Sequence, residues 1–409
     1  MNAMEKRMPE AFSRRALLLI GAGAGLLAVA LGIRHGFGLF LQPMSVDNGW
    51  GREVFAFAIA AQNLIWGAAQ PFTGMLADRF GASKAIVVGA VLYAAGLVAM
   101  AFAQTPGELV FSAGLLVGLG LSGTTFAVVL GAVSRAVPPA RRSHAMGVAT
   151  ALGSFGQFAM LPGSLSLIAW VGWSAALVVL ACIAATMAPL AGAFRETQPG
   201  PAVQPPPAAR AALREALAHR GFWLLSFGFF VCGFHVVFIT THLPAFLVDR
   251  GLPLATGTTV LALIGLANVA GAYLGGRCGE RFRKPAVLTA IYLGRAAAIG
   301  AFVWLPITEW SAYAFAVAIG LLWMSTVPLT NGTVASVFGV RNMSMLGGVV
   351  FFCHQVGAFL GGWLGGRLYD QSGSYDAVWT MAIGLALLAA VLNWPIREQP
   401  LPQVAGQRT

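Results

Sequence analysis

The chain has 409 residues, of which 58% are hydrophobic and only 10% are charged, and its formal net charge is +11. In soluble domains the charged residues approach about a quarter of the total. The composition therefore excludes a soluble globular protein and indicates a polytopic membrane protein. The strongly basic balance could also suggest a nucleic-acid partner, so the distribution of the charge along the chain has to decide between the two.

Twelve apolar runs of membrane-spanning length follow one another along the chain. A spanning helix needs about 20 apolar residues, and the backbone polar groups must bond within the segment in lipid, so each run predicts a helix. The predicted helices 1 to 12 cover residues 16–43, 53–76, 84–104, 108–133, 144–168, 172–194, 221–247, 256–278, 285–306, 311–334, 343–366 and 376–396. The predicted fold is thus an all-α membrane protein with twelve transmembrane helices.

The positive charge follows the topology of these helices. With both termini in the cytoplasm, most of the 25 lysines and arginines fall on the cytoplasmic side, and only Arg52, Arg250 and Arg367 fall outside. This asymmetry is the positive-inside pattern. It predicts a multi-pass protein of a bacterial-type inner membrane. Its expected partner is the lipid bilayer, and no nucleic-acid partner is expected.

Helix 1 places two polar residues, Arg34 and His35, inside an apolar run predicted to end at Pro43. An arginine at the centre of a spanning helix costs about 2.5 to 3.5 kcal/mol, so a lipid-facing side chain is unfavourable. The 14 acidic residues all fall in tails, loops or helix ends, so none is available at mid-membrane depth. Arg34 is therefore expected to bind an anion in a cavity. The alternative is that Arg34 bonds backbone carbonyls or reaches outward to the interface.

The loop after helix 2 has a copy in the second half of the chain. Glycine, an acid, arginine and phenylalanine recur from Gly74 to Phe80 and from Gly276 to Phe282, an offset of 202 residues (276 minus 74). A repeat of composition, spacing and topological place indicates two related halves. We expect Gly74 to allow close helix contact, and Asp78 to bond a helix N-terminus and a cytoplasmic arginine such as Arg141 or Arg142.

Five prolines between Pro199 and Pro207 separate the two halves. Such a run cannot form a membrane helix, so it predicts a linker that ends in a short polar helix near 208–219. The predicted organisation is a six-helix bundle over 1–194, a cytoplasmic linker over 195–220 and a second six-helix bundle over 221–409.

The loop after helix 2 resembles the hallmark loop of the major facilitator superfamily. The resemblance covers the whole chain and implies two pseudo-symmetric six-helix bundles around a central path. It also implies a cytoplasmic gate, whose residues here are Gly74, Asp78, Arg79, Gly81, Lys84, Glu280 and Arg281.

A finer resemblance is to the monocarboxylate porter and oxalate/formate exchanger branch of that superfamily. It rests on the Gly-x-Phe and Gly-Trp-x-Arg patterns at 38–40 and 49–52, and on the turn at 366–376 between helices 11 and 12. The chain departs from the branch in helix 8, where Asn268 stands in place of an arginine, and in helix 11, where His354 and Gln355 stand in place of a lysine.

The resemblance implies that helices 1, 4, 7 and 10 and helices 2, 5, 8 and 11 face the central path, and the candidate substrate-binding residues are taken from their polar residues. These are Arg34, His35, Asn63, Gln157, His235, Asn268, His354 and Gln355. His235 and His354 are also candidates for proton coupling, because histidine titrates near neutral pH; each could instead be a neutral bridge between helices. Arg295 in helix 9 is assigned to structure.

The sequence contains no pattern typical of catalysis or of cofactor or metal binding. No nucleophile, paired carboxylate, phosphate loop or metal-ligand spacing occurs, so no enzyme, cofactor or metal is predicted. The predicted function is secondary active transport of a small organic anion, a monocarboxylate, by a functional monomer coupled to protons or to a counter-anion. The alternatives are a multidrug or other small-molecule efflux transporter, and a non-transporting membrane sensor on the same fold.

Overall fold

The computed structural model describes residues 12–50, 52–195 and 209–401. Most of these residues are helical, and no strand occurs within the three ranges. The helices that occupy the predicted spans are α1 Arg14–His35, α2 Arg52–Phe80, α3 Ala82–Ala101, α4 Pro106–Arg135, α5 and α6 within Pro139–Phe194, α7 Arg220–Asp249, α8 Leu254–Arg281, α9 Lys284–Trp304, α10 Glu309–Phe338, α11 Met343–Ser372 and α12 Asp376–Asn393. Most of the proline-rich linker, 196–208, lies outside the described residues, and the helix Ala209–Ala218 follows it.

Ten helical segments of the described chain are long and apolar enough to cross a membrane. The longest, Pro139–Phe194, is interrupted at Gly172, whose φ of 79° is left-handed, and it therefore contains two spans, α5 over 142–171 and α6 over 173–185. Helix α2 is not among the ten, but its 29 residues are enough to span a hydrocarbon layer about 30 Å thick. The fold thus contains the twelve predicted transmembrane helices.

The first predicted span, 16–43, is present as the apolar segment Arg14–Leu41, but a turn interrupts its helix. Helix α1 ends at His35, and a second helix, Gly38–Asn48, follows it and contains Pro43. Glycines flank the break, and glycine costs a helix about 1 kcal/mol relative to alanine, whereas proline inside a membrane helix is tolerated when neighbouring groups satisfy the backbone. As a result, Arg34 lies in the last turn of α1, beside the break.

The two halves repeat one tertiary hydrogen bond. The Tyr93 hydroxyl in α3 donates to the Ala30 carbonyl in α1, at 2.8 Å. The Tyr292 hydroxyl in α9 donates to the Gly228 carbonyl in α7, at 2.6 Å. Both halves also interrupt their fourth helix: α4 is broken at Thr125 and α10 between Trp323 and Thr326. The internal sequence repeat is therefore a structural repeat.

The halves meet along two helix pairs, α2 with α11 and α5 with α8. The backbones approach so closely that a Cβ atom at Gly74 would collide with the Ser344 carbonyl, and one at Gly276 would lie 2.8 Å from the Gly147 Cα. Both contacts lie on the side of the bundle that carries Asp78, called the Asp78 side below. In the described chain, α1 of the first half does not pack closely against α7 of the second half. The halves are thus closed together on the Asp78 side.

Candidate functional site

Arg34 is partly buried, and α2 supplies two of its neighbours. Its Nη2 donates a hydrogen bond to Asn63 Oδ1, and its guanidinium carbon lies 5.2 Å from the centroid of the Trp66 ring, a cation–π contact. Both neighbours are neutral, and no ion pair with Arg34 occurs among the side chains that the structure describes. The Arg34 Nε is fully buried and has no hydrogen-bond partner among them. The site therefore holds a positive charge without a countercharge.

Trp66 is a central residue of this site that sequence reasoning missed. Its ring N–H donates to Gln70 Oε1 at 2.9 Å and to Thr125 Oγ1 at 3.0 Å, at the break in α4. These bonds fix the indole so that one face lies against Arg34. A usable signal was the spacing of Asn63, Trp66 and Gln70, three and four residues apart on one helix face.

Helix α11 of the other half completes the site. The Phe351 ring lies 4.9 Å from Trp66, centroid to centroid, and the His354 ring stacks on Phe351 at 5.3 Å with an interplanar angle of 8°. Gln355 Nε2 donates to the Asn63 carbonyl at 3.3 Å, and Gln355 Oε1 lies 3.1 Å from His354 Nδ1. Residues of both halves therefore meet at one place.

A small internal cavity lies behind Phe351. Helices α4, α7, α10 and α11 contribute its lining, which is mostly apolar. The lining residues are Phe126, Ala127, Phe229, Val327, Thr330, Asn331, Val334, Gly347, Val350 and Phe351. Thr330 and Asn331 are its polar side chains. The cavity, about 10 Å³ in volume, has room for about one water molecule.

The structure does not bring all the predicted residues into this cluster. His35 is exposed, and its Nδ1 lies 3.2 Å from the Leu31 carbonyl. Gln157 and Asn268 are buried, and neither has a recorded hydrogen bond to the cluster within the described ranges. His235 is buried, and its Nε2 lies 2.9 Å from the Ala382 carbonyl in α12, which fits the bridging alternative. Arg34, Asn63, His354 and Gln355 are the predicted residues that meet.

Arg295, the second intramembrane arginine, lies in a different environment. Its Nη2 donates to the carbonyls of Leu322 at 2.7 Å and of Trp323 at 3.0 Å, where α10 is interrupted. The same nitrogen lies 3.5 Å from Cys232 Sγ, and the guanidinium lies over the Tyr292 ring. Because a helix break leaves carbonyls without helical partners, Arg295 completes the backbone of α10. This environment supports the structural assignment.

Asp78 joins the two halves on the Asp78 side. It accepts hydrogen bonds from the backbone N–H of Met345 at 2.9 Å and of Ser344 at 3.4 Å, in the first turn of α11. The expected contact with a positive helix end is therefore present. The expected arginine partner was wrong: Asp78 pairs with Arg135 at 2.8 Å, and Arg142 donates to the Ser134 carbonyl instead. Arg135 ends α4, which packs beside α2, and that neighbour is not visible from the sequence.

The copy of this loop makes an analogous contact between the halves. Glu280 Oε1, at the end of α8, lies 3.4 Å from Nδ1 of His144, at the start of α5. The basic residues predicted for the gate, Arg79, Lys84 and Arg281, are exposed, and Gly81 has a φ of 93° at the turn into α3. Among the predicted gate residues, the acids Asp78 and Glu280 and the glycine Gly74 therefore contact the other half.

Comparisons with known proteins agree with this architecture. Residues 16–362 match the family model described as Major Facilitator Superfamily. The chain is 28% identical to monocarboxylate transporter 11 of Homo sapiens over 351 residues, which cover 83% of this chain and 73% of that protein. It is 24% identical to the uncharacterized MFS-type transporter YcxA of Bacillus subtilis (strain 168) over 378 residues, covering 88% and 90%.

A solved structure has the same fold. The crystal structure of FucP, a major facilitator superfamily transporter, in the outward conformation superposes with a TM-score of 0.75 at 14% identity, covering 93% of this chain and 99% of that one. The family model spans well over half of the sequence, and the fold agrees with it. The chain therefore belongs to the major facilitator superfamily, a family of membrane transporters and not of enzymes.

Proposed function

We propose that the protein is a secondary active transporter of a small organic anion, a monocarboxylate, and that it works by alternating access. The observation that carries the proposal is the environment of Arg34, a cation in the membrane interior whose described neighbours are the neutral side chains of Asn63 and Trp66. The similarity to a monocarboxylate transporter supports the same substrate class.

A carboxylate fits this environment for two reasons. A guanidinium is planar and offers two parallel N–H donors to a carboxylate, and the Arg34 Nε has no partner among the described residues. The charge of a bound anion would also offset the cost of keeping a guanidinium away from water. Because one cation faces the site, one negative charge is the expected cargo.

Alternating access follows from the contacts between the halves. Asp78 with the first turn of α11, and Glu280 with His144, hold the two halves together on the Asp78 side. In this arrangement the site is closed toward the Asp78 side, which we place in the cytoplasm with both termini, in a bacterial-type inner membrane. Breaking these contacts while the opposite side closes would carry the anion across.

Coupling is to protons or to a counter-anion. His354 is the candidate proton carrier, because its ring lies in the site, stacked on Phe351 and beside Gln355. His235 is a weaker candidate, because its Nε2 points to the Ala382 carbonyl in α12. We infer that the functional unit is a monomer, since residues of both halves of one chain build the site.

Tracer flux in proteoliposomes tests the proposal. Labelled pyruvate or benzoate should accumulate under an imposed proton gradient or exchange against internal unlabelled anion, and Arg34→Gln should abolish both. The matched control is Arg367→Gln, which changes an exposed arginine of α11 and should leave flux unchanged. Full flux by folded Arg34→Gln would refute the role of Arg34. Binding without flux in the unchanged protein would indicate a sensor, and export of hydrophobic cations would indicate an efflux transporter.

A further inference from the structure

The rings beside Arg34 form one continuous aromatic surface that crosses from one half to the other. Trp66 contacts Phe351, and Phe351 lies 6.2 Å from Phe126, centroid to centroid. On the other side of Phe351, His354 stacks on it and lies 4.7 Å from Phe229. Phe126, Phe229 and Phe351 also line the small cavity behind the site. An anion held by Arg34 would therefore lie against rings.

The polar groups of Trp66 and Gln355 already have partners. The Trp66 N–H is shared by Gln70 and Thr125. The Gln355 amide bonds the Asn63 carbonyl and His354. A hydroxyl or keto group next to the carboxylate of the cargo would have few donors or acceptors left here, and an unpaired polar group in a desolvated site lowers affinity. The surroundings of Arg34 therefore favour an apolar body on the anion.

We propose that the cargo is an aromatic monocarboxylate, with its carboxylate on Arg34 and its ring against Trp66 and Phe351. This rests on the proposed function and narrows its substrate class. Flat rings stack favourably on aromatic side chains, and a short aliphatic acid would contact Arg34 without that stacking.

Size and shape set the expected preference. One methylene in an apolar pocket changes kcat/KM by about 10-fold to 200-fold. A phenyl ring adds more apolar surface than a methylene does. We therefore expect benzoate to be preferred over propionate by at least about tenfold in the ratio of maximal rate to KM.

The experiment measures uptake of labelled benzoate and labelled propionate side by side in proteoliposomes, for the unchanged protein, Phe351→Leu and Phe359→Leu. Phe351→Leu removes the ring that contacts Trp66 but keeps an apolar side chain, so the ratio of benzoate uptake to propionate uptake should fall at least about fivefold. Phe359 lies two turns further along α11, is 38% exposed and stacks on Trp363. Phe359→Leu should keep the preference. If Phe351→Leu does not fold, Phe229→Leu takes its place.

The outcomes separate this inference from the function on which it rests. Benzoate preference that is lost in Phe351→Leu supports the inference. Equal or better uptake of propionate by the unchanged protein overturns the inference and leaves monocarboxylate transport standing. A benzoate preference that Phe351→Leu and Phe229→Leu both retain also overturns it, because the ring would then bind elsewhere. If neither acid is taken up or exchanged, the proposed function itself fails.

Discussion

The amino-terminal and carboxy-terminal halves each hold one arginine within the membrane, and the two arginines are used differently. Tyr93 bonds the carbonyl four residues before Arg34, and Tyr292 bonds the carbonyl four residues before Cys232, so Cys232 is the structural counterpart of Arg34. The second half therefore has a thiol where the first half has a cation. The intramembrane cation of the second half is Arg295, which lies in α9.

The difference lies in what the two guanidinium groups bond. Arg295 is 1% exposed, and two main-chain carbonyls at the break in α10 accept its hydrogen bonds. Arg34 bonds one side-chain amide oxygen and leaves its Nε without a partner in the described part of the chain. A satisfied buried cation serves the fold, whereas an unsatisfied one is available to a ligand. The same residue type thus has two roles, set by the number of acceptors around it.

The largest expected effect is the loss of transport in Arg34→Met. Methionine keeps an unbranched side chain but removes the charge, so uptake of a monocarboxylate should fall to background. A cation without a countercharge is costly to keep away from water, so the melting temperature should stay the same or rise when it is removed. Tracer flux and thermal unfolding of the same preparation give both values. A strongly lowered melting temperature would mean that Arg34, like Arg295, is structural.

Arg295→Met should show the opposite pattern, with its main effect on stability. The carbonyls of Leu322 and Trp323 would lose their donor, and an unsatisfied buried polar group costs about 1 to 3 kcal/mol. We expect a lower melting temperature and a lower yield of folded protein. Arg367→Met, at an exposed position of α11, is the control. Unchanged stability of Arg295→Met would remove the distinction between the two arginines.

Loss of the Asp78 contact should loosen the facing helix more than loss of the Glu280 contact, because Asp78 makes more bonds. Asp78 pairs with Arg135 and accepts two backbone N–H groups of α11, whereas Glu280 pairs with one side chain, His144, in the described part of the chain. Asp78→Asn should therefore speed amide hydrogen exchange in the first turn of α11 more than Glu280→Gln speeds it in the first turn of α5. Exchange followed by mass spectrometry measures both. A larger effect of Glu280→Gln would reverse the ranking.

The smallest expected effects belong to the tyrosines that define the repeat. Tyr93→Phe and Tyr292→Phe each remove one hydroxyl that donates to a carbonyl, worth about 1 kcal/mol of unfolding free energy. Because the two bonds are equivalent in the two halves, the two variants should lower the melting temperature by similar amounts. Thermal unfolding of the pair checks this. A large difference would show that the halves are not equivalent even in their scaffold.

Much of the fold could be predicted because lipid imposes simple rules on the sequence. The apolar runs, the break at Gly172 and the repeated loop at Gly74 and Gly276 all appear in the structure near their predicted places. The first span was predicted to run unbroken to Pro43, and the apolar segment does run from Arg14 to Leu41, but a turn after His35 interrupts the helix. The position of this turn depends on which backbone groups find partners after packing, and a single segment does not contain this information.

The site was predictable only in part, and Trp66 illustrates why. Trp66 looks like one more apolar residue of its span, and its importance comes from Thr125 in α4 and from Phe351 in the other half. His235 looked like a residue of the central path, yet it bonds α12. The rotation of a helix about its axis decides which neighbour a side chain meets, and several rotations fit the same apolar pattern.

The sequence by itself determined that the chain crosses the membrane many times, that it repeats, and that a fixed cation lies in its interior with no acid at the same depth. These properties follow from composition and spacing, because lipid penalises every unsatisfied polar group within a segment. Only the tertiary structure decided that Arg34 meets Asn63 and Trp66 and that Asp78 pairs with Arg135. It also decided that Arg295 donates its hydrogen bonds to backbone carbonyls of α10. Those partners lie on other helices, and packing alone brings them together.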